Sequence, residues 1–400
     1  MGRSDVDTGV VVVGASLAGL RTAEILRRRG YQRRITLIGA ERHLPYDRPP
    51  LSKDFLADGG PGAVTYLSER DAFSELDIDL RLGVTATGLD VEGHRVLTGT
   101  AGDLRYEQLV IATGASPRPA PCQGELAGFQ ALRTLEDAQA LRTGLDQARH
   151  VVILGGGFIG AEVAVAARLR SLPVTLVEIL PAPMSRALGT QVGNLLARMH
   201  ADHGVDVRCG VTVDAAFGSG RVETVELSDG TRLPADLVVV GLGVTPSTGW
   251  LSGSGLDITD GIACDENLRA LGQRDIYAAG DVARWPHPLS GQAMRVEHWT
   301  NAIGHAEVVA SQIVGPGHVA DAVPYVWSDQ YQRRIQIVGW PGRADGVTVI
   351  EDASDGRHVA VYERDGRTVG MLTVDSPRAM IKGRRAISAA RPAAELIAAL

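Results

Sequence analysis

An α/β protein with two β-α-β domains and a smaller C-terminal α+β domain is what the sequence predicts, and three stretches predict it. Val10 to Glu41 reads VVVVGASLAGLRTAEILRRRGYQRRITLIGAE, and Val151 to Glu178 reads VVILGGGFIGAEVAVAARLRSLPVTLVE. Each has a short apolar run, a glycine turn, a helical stretch and a second apolar run ending near an acid. From Val323 the text changes to strand-like alternation beginning VPYVWSDQYQRRIQIVGW and closes on a helix-like segment, Pro392 to Leu400.

In the first stretch a strand is expected over Val10 to Val13, a tight turn at Gly14, a helix through Arg29 and a second strand over Ile35 to Ile38. Gly14 permits the turn and Gly19 lets the helix lie close to the strand. The helix N-terminus then offers unpaired N–H groups and a positive dipole end, which suit the pyrophosphate of a dinucleotide in a Rossmann-like domain. The middle glycine of the fingerprint is replaced by Ser16, a small side chain that still permits close approach. Glu41 falls where a carboxylate accepts hydrogen bonds from a ribose.

The second stretch carries Gly155, Gly157 and Gly160 in full G-x-G-x-x-G register. Glu178 ends its second strand, where a carboxylate favours the free 2′-hydroxyl of NAD and repels a 2′-phosphate. Arg186 lies close enough in sequence to contact the ribose or phosphate side instead.

Between and after these units the chain repeats itself. Pro45, Pro49 and Pro50 make a rigid loop and short helix that present Arg48 and Lys53 either to a ligand or to solvent. Ile78 to Leu82, His94 to Thr98 and Leu104 to Tyr106 read as a β-meander, followed by a buried strand and turn over Gln108 to Gly114. The second half has its own meander over Arg208 to Leu233 and a buried strand with a glycine turn over Ala235 to Pro246, so the domains look duplicated. Asp275 to Asp281 is a short strand delivering an aspartate after a glycine at a helix start. Arg295 to Asn301 leads into an amphipathic helix bearing Trp299. In the last domain Trp327 and Tyr331 are either core aromatics or face a cofactor. Arg333, Arg334, Arg378, Lys382, Arg384, Arg385 and Arg391 make either a solvated face or a docking surface for an acidic partner.

Composition narrows the classes. With 44% hydrophobic and 22% charged residues the chain reads as an ordinary globular protein, and no run of about 18 apolar residues is available to span a bilayer. MGRSDVDTG lacks the apolar centre of a signal peptide, so a cytoplasmic protein is expected, with no membrane partner. Cys122, Cys209 and Cys264 are far apart and suggest buried packing residues rather than a redox disulfide or a metal site. A formal charge of −7 argues against nucleic acid as a partner.

Eight motifs together resemble one family. They are VVGASLAG at Val12 to Gly19, LPYDRPPLSK at Leu44 to Lys53, LVIATGASPRP at Leu109 to Pro119, LRTLEDA at Leu132 to Ala138, GGGFIGAEVA at Gly155 to Ala164, IYAAGDVA at Ile276 to Ala283, EHWTNA at Glu297 to Ala302 and WSDQY at Trp327 to Tyr331. Over nearly its whole length the chain resembles the flavin-dependent, NADH-linked ferredoxin reductases of bacterial oxygenase systems. The resemblance implies a glutathione-reductase-like architecture: two Rossmann-like dinucleotide-binding domains, for FAD at 1–116 with 243–323 and for NADH at 117–242, plus a C-terminal α+β domain at 324–400.

It further implies FAD contacts at Gly14, Ser16, Ala18, Gly19, Ala40 or Glu41, Arg48, Lys53, Ala86, Thr113, Arg133, Asp281 and Trp299. For NADH it implies Gly155, Gly157, Ile159, Glu162, Glu178 and Gly243. Lys53 and Glu162 are the implied catalytic pair, joined as an ion pair near the nicotinamide. The activity implied is hydride transfer from NADH to FAD, then single-electron transfer to an iron-sulfur ferredoxin serving a cytochrome P450 or Rieske-type oxygenase, with no protein nucleophile or metal. An acidic ferredoxin would dock near Trp327, Arg333, Arg334 and Lys382. Two other activities share this architecture. An NADH oxidase or peroxidase commonly places a redox cysteine after the first acid, and residues 41 to 60 hold none; an NADH-gated binding protein would keep its reduced state for long.

Overall fold

The computed structural model describes residues 8–57, 63–315, 317–352 and 356–400; the reading of the N-terminus falls mostly on residues 1–7, outside them. The chain divides into two compact units. One comprises Met1–Asp47, Thr65–Ser116 and Pro246–Pro324, the other Arg48–Val64, Pro117–Thr245 and Tyr325–Leu400.

The first unit is built on a five-stranded sheet in the order Ile276–Ala278, Gln108–Ile111, Val10–Val13, Ile35–Gly39, Ile78–Leu82, every pairing parallel. Val10–Val13 is buried along its whole length, as a central strand covered on both faces must be. Helices Leu17–Arg28 and Trp299–Val314 pack against each other. Here the meander reading is corrected. Ile78–Leu82 is the edge strand of the parallel sheet, and the antiparallel meander consists of Gly88–Asp90, Arg95–Leu97 and Leu104–Arg105. Asp79 and Arg81 gave Ile78–Leu82 its polar alternation, and at the sheet edge they pair with each other, Asp79 also taking Arg34 at 2.8 Å. A second correction concerns Asp281. It sits in a single 3-10 turn, Gly280–Val282, that runs into the strand Ala283–His287 instead of opening a helix. Val282, Ala283 and Trp285 are all buried there, a pattern that a strand satisfies.

The second unit repeats the sheet: Val205–Cys209, Val174–Glu178, Val151–Leu154, Leu237–Val240, Phe129–Ala131, again parallel throughout. Phe129–Ala131 comes before the glycine turn in sequence, whereas its counterpart in the first unit, Ile276–Ala278, comes long after. Val205–Cys209 thus belongs to the parallel sheet, and the second meander is Val213–Phe217, Thr224–Leu227 and Arg232–Pro234.

The same unit holds an antiparallel five-stranded sheet, ordered Tyr325–Gln330, Arg333–Gly339, Arg367–Val374, Arg357–Arg364, Gly346–Asp352. The helix Pro377–Ser388 packs on it, an element the sequence reading passed over; Ala393–Ala398 is the expected terminal helix. Ile335, Ile337 and Leu372 of this sheet share a core with Leu188, Val192 and Leu196 of the helix Ser185–Asp202. Of the three thiols only Cys264 is buried; Cys122 and Cys209 are half-buried, and burial pushes all three upward in pKa. No helix among the described residues is long and apolar enough to cross a membrane.

Candidate functional site

Each parallel sheet ends its central strand in a glycine turn of the same build. Gly14 has φ +116° and Gly155 φ +98°. A Cβ on Gly14 would lie 2.2 Å from Ala112 O, and one on Gly155 2.3 Å from Gly241 O, so the neighbouring strand's backbone occupies the space a side chain would need. Gly157 is different, because nothing lies within 4 Å of its missing Cβ. The chain itself does not require glycine there. Ser16 holds the corresponding N-cap position in the first unit, with extended backbone and no side-chain cap on its helix.

Around the first turn, Ala18 and Gly19 are buried in the first turn of the helix. Ala40 is exposed at the tip of the second strand, and Glu41, beside it, accepts a hydrogen bond from the Tyr46 hydroxyl. Ala86 packs against the core edge, and Thr113 Oγ1 donates to Ser247 O at 2.9 Å. Asp281 follows Gly280, whose N–H donates to His305 Nδ1 at 3.2 Å. His298, beside Asp281, is driven down to a pKa of about 4 by burial, and its Nδ1 has no hydrogen-bond partner among the described residues. Trp299 Nε1 donates to Asp47 Oδ1 at 2.7 Å, which fixes the indole at the head of its helix.

Arg48, Lys53 and Arg133 lie in the second unit. Arg48 donates to Arg133 O, just ahead of a helix capped by Thr134 and Asp137. Glu178 is 8% exposed and both its oxygens are taken, Oε2 by Gly156 N–H at 2.8 Å and Oε1 by Leu180 N–H at 2.9 Å. The acid therefore braces the glycine turn from the end of its strand. Ile159 is 38% exposed in the first turn of the helix, and Gly243 accepts from Arg118 N–H at 3.0 Å.

Lys53 and Glu162 come together, with Nζ 2.8 Å from Oε2 and the Glu162 side chain only 3% exposed. Glu162 also accepts from Ser52 and, through Oε1, from Ser328 at 2.5 Å. Neither serine was singled out from sequence. Ser52 adjoins Lys53 and Ser328 lies inside WSDQY, so the motifs contained them, but a serine has no periodic signal of its own. Tyr46 and Asp47, inside LPYDRPPLSK, were missed in the same way, and His305 lies outside all eight motifs.

On the C-terminal sheet Trp327 is half-buried and stacks with Tyr325, ring centroids 6.0 Å apart. Arg334 is committed to Asp329 at 2.8 and 3.0 Å. Arg333 donates to Gly356 O at 2.8 Å and pairs with Asp375 at 3.4 Å, and Lys382 donates to Ala399 O. The cations Arg378, Arg384 and Arg385 stand exposed on the helix Pro377–Ser388 around Ile381, itself 55% exposed.

Comparison with known proteins agrees with this geometry. Residues 8–306 match the pyridine nucleotide-disulphide oxidoreductase family model and residues 325–399 the reductase C-terminal model. The chain is 37% identical to the ferredoxin–NAD(+) reductase component of the p-cumate 2,3-dioxygenase system of Pseudomonas putida, over 94% of this chain and 92% of that one. It is 34% identical to rhodocoxin reductase of Rhodococcus erythropolis, over 96% and 90%. Among solved structures it is similar to the reductase of a covalent putidaredoxin reductase–putidaredoxin complex, with TM-score 0.92, 32% identity and 99% of each chain covered. Two parallel sheets with matched glycine turns, followed by the antiparallel C-terminal sheet, make this chain a member of the pyridine nucleotide-disulphide oxidoreductase family.

Proposed function

We propose that this protein is an NADH-dependent ferredoxin reductase that uses FAD and feeds an oxygenase system of the P450 or Rieske type. The observation that carries the reading is the pair of glycine turns, one per parallel sheet, in a chain alike over nearly its full length to ferredoxin–NAD(+) reductases. FAD, when bound, supplies the conversion of a hydride's electron pair into single electrons that an iron-sulfur protein accepts.

The residues present fit both cofactors. In the first unit the helix behind Ser16 has no side-chain cap, so its first N–H groups are available to a pyrophosphate over Ala18 and Gly19. Asp281 and the unpartnered Nδ1 of His298 supply polar contacts, and Trp299 a flat wall. In the second unit the open space at Gly157 suits the NADH pyrophosphate, and Glu178 sets a negative charge where NADPH would carry its 2′-phosphate. Lys53 and Glu162 hold a fixed charge pair in the NADH-binding unit, with Lys53 the cation offered to the reacting end.

The ferredoxin is an acidic one in this reading. Because Arg333, Arg334 and Lys382 are each spoken for, Arg378, Arg384 and Arg385 around Ile381 are the stronger docking cations. A cytoplasmic setting, where NADH is regenerated, goes with it.

The test is NADH-driven cytochrome c reduction by the purified FAD-loaded protein, with and without a small iron-sulfur ferredoxin. A large increase on adding ferredoxin is expected. Fast flavin reduction with no increase across several ferredoxins would count against the reading and favour an oxidase.

A further inference from the structure

Glu162 is held from three directions inside the second unit. Lys53 and Ser52 share its Oε2, and Ser328 donates to its Oε1. Ser328 is fully buried, and it comes from the C-terminal sheet, 166 positions away in sequence. Its hydroxyl has a single proton to give. Gln330 Nε2, which can only donate, lies 3.0 Å from Ser328 Oγ, so Ser328 accepts there and its own proton turns to the carboxylate. The hairpin that carries both residues is pinned at its turn. Tyr331 Oη bonds His200 Nδ1 at 2.9 Å, and the Tyr331 ring stacks on His203 at 3.8 Å.

Lys53 is as tightly specified. The chain has thirty-eight arginines but only two lysines, Lys53 and Lys382. Lys53 Nζ has three protons and three acceptors around it, Glu162 Oε2 at 2.8 Å, Pro49 O at 3.3 Å and Ser52 Oγ at 3.5 Å. A compact ammonium meets converging acceptors in a way a planar guanidinium does not.

We propose that Ser328 is a positioning residue for the reductase reaction: through it the C-terminal sheet orients Glu162, which in turn fixes the Lys53 ammonium. The kinetic half of this inference rests on the reductase reading, and the hydrogen-bond half stands on geometry alone. Without the Ser328 hydroxyl, Oε1 is left in a buried site with no donor among the described residues, and the grip of the carboxylate on Lys53 loosens.

The experiment is acetylation footprinting of the FAD-loaded protein with a lysine-selective ester, read by mass spectrometry. Lys382, exposed on its helix, is the internal standard. Ser328→Ala is expected to raise the Lys53-to-Lys382 labelling ratio at least about threefold, and Ser328→Thr, which keeps the hydroxyl, to restore it. In stopped flow, Ser328→Ala is expected to slow the limiting rate of flavin reduction by NADH about tenfold, with little change in the NADH concentration for half-saturation. An unchanged labelling ratio overturns the proposal, and so does a raised ratio with an unchanged limiting rate. If Ser328→Ala does not fold, Gln330→Met withdraws the donor from Ser328 and must raise the ratio in the same direction, or the proposal falls. Failure of the unsubstituted protein to show NADH-driven flavin reduction is a separate result. It removes the reductase reading and the kinetic half with it, while the labelling ratio still decides the hydrogen bond.

Discussion

Gly280 donates its N–H to His305 Nδ1 across 3.2 Å, tying the turn that holds Asp281 to the helix Trp299–Val314. The bond requires a neutral ring with its proton on Nε2, and that nitrogen has no hydrogen-bond partner among the described residues; the ring sits edge-on to Trp285 at 4.3 Å. Burial drives His305 down to a pKa of about 3, and burial drives His200 down to about 4. Below the usual value of 6.5 the unfolded chain takes up protons that the folded one refuses. Stability therefore falls as pH drops from 6.5 towards these values, by at most about 1.4 kcal/mol per pH unit for each histidine. The expected result is a melting temperature that declines between pH 6.5 and 4.5, with a shallower decline in His305→Gln, which keeps an acceptor and cannot titrate. Parallel pH profiles for the two proteins would refute the assignment.

Lys53 and Glu162 should behave as a unit in a double-mutant cycle. Lys53→Met leaves a buried carboxylate with the two serines as its donors among the described residues, and removing one member of a buried pair typically costs about 3–5 kcal/mol. Pairing it with Glu162→Gln removes the stranded charge, so the double variant should regain at least half of that loss in a denaturant titration. Flavin reduction by NADH should remain slow in both. Additive losses of stability would mean that the 2.8 Å contact carries no coupling.

How far the sequence could be read depended on the kind of signal each element carries. Val10–Val13 and Val151–Leu154 are buried end to end, so their uninterrupted apolar runs and the glycines after them announced the two parallel sheets. Ile78–Leu82 misled because a sheet edge lets Asp79 and Arg81 alternate as they would in a meander. Pro377–Ser388 was passed over because four of its seven exposed residues are arginine or lysine, and its buried face rests on Met380, Gly383, Ala386 and Ile387, two of them small. At the site, Lys53 and Glu162 stood inside recognisable motifs. The serines that saturate Glu162 come from positions 110 and 166 residues away, and no local pattern encodes a contact of that range.

Charge reversal on the helix Pro377–Ser388 tests the proposed docking surface. Arg384→Glu with Arg385→Glu should raise the KM for an acidic ferredoxin about tenfold at low salt, an effect that fades once the Debye length shrinks to a few Å. Arg334→Glu should do less, because Asp329 already neutralises that guanidinium from 2.8 Å. Equal effects at both places, or a salt-independent effect, would move the surface elsewhere.

Gly155 and Gly157 sit two residues apart and should fail in different ways. Gly155→Ala puts a Cβ 2.3 Å from Gly241 O at φ +98°, a clash with backbone that no rotamer relieves, so the variant should be poorly folded or lose several kcal/mol of stability. Gly157→Ala meets nothing within 4 Å, and its backbone is extended at φ −78°, which any residue adopts. Its melting temperature should stay within a few degrees of the parent, because surface-type substitutions without a clash cost about 0.5 kcal/mol or less. Its NADH affinity should nevertheless fall about tenfold or more, since the methyl group takes the space proposed for the pyrophosphate. Titration of NADH quenching or flavin reduction, set beside thermal melts of both variants, reads the two effects separately. Normal NADH binding by Gly157→Ala would show that the space beside that turn is not where the dinucleotide lies.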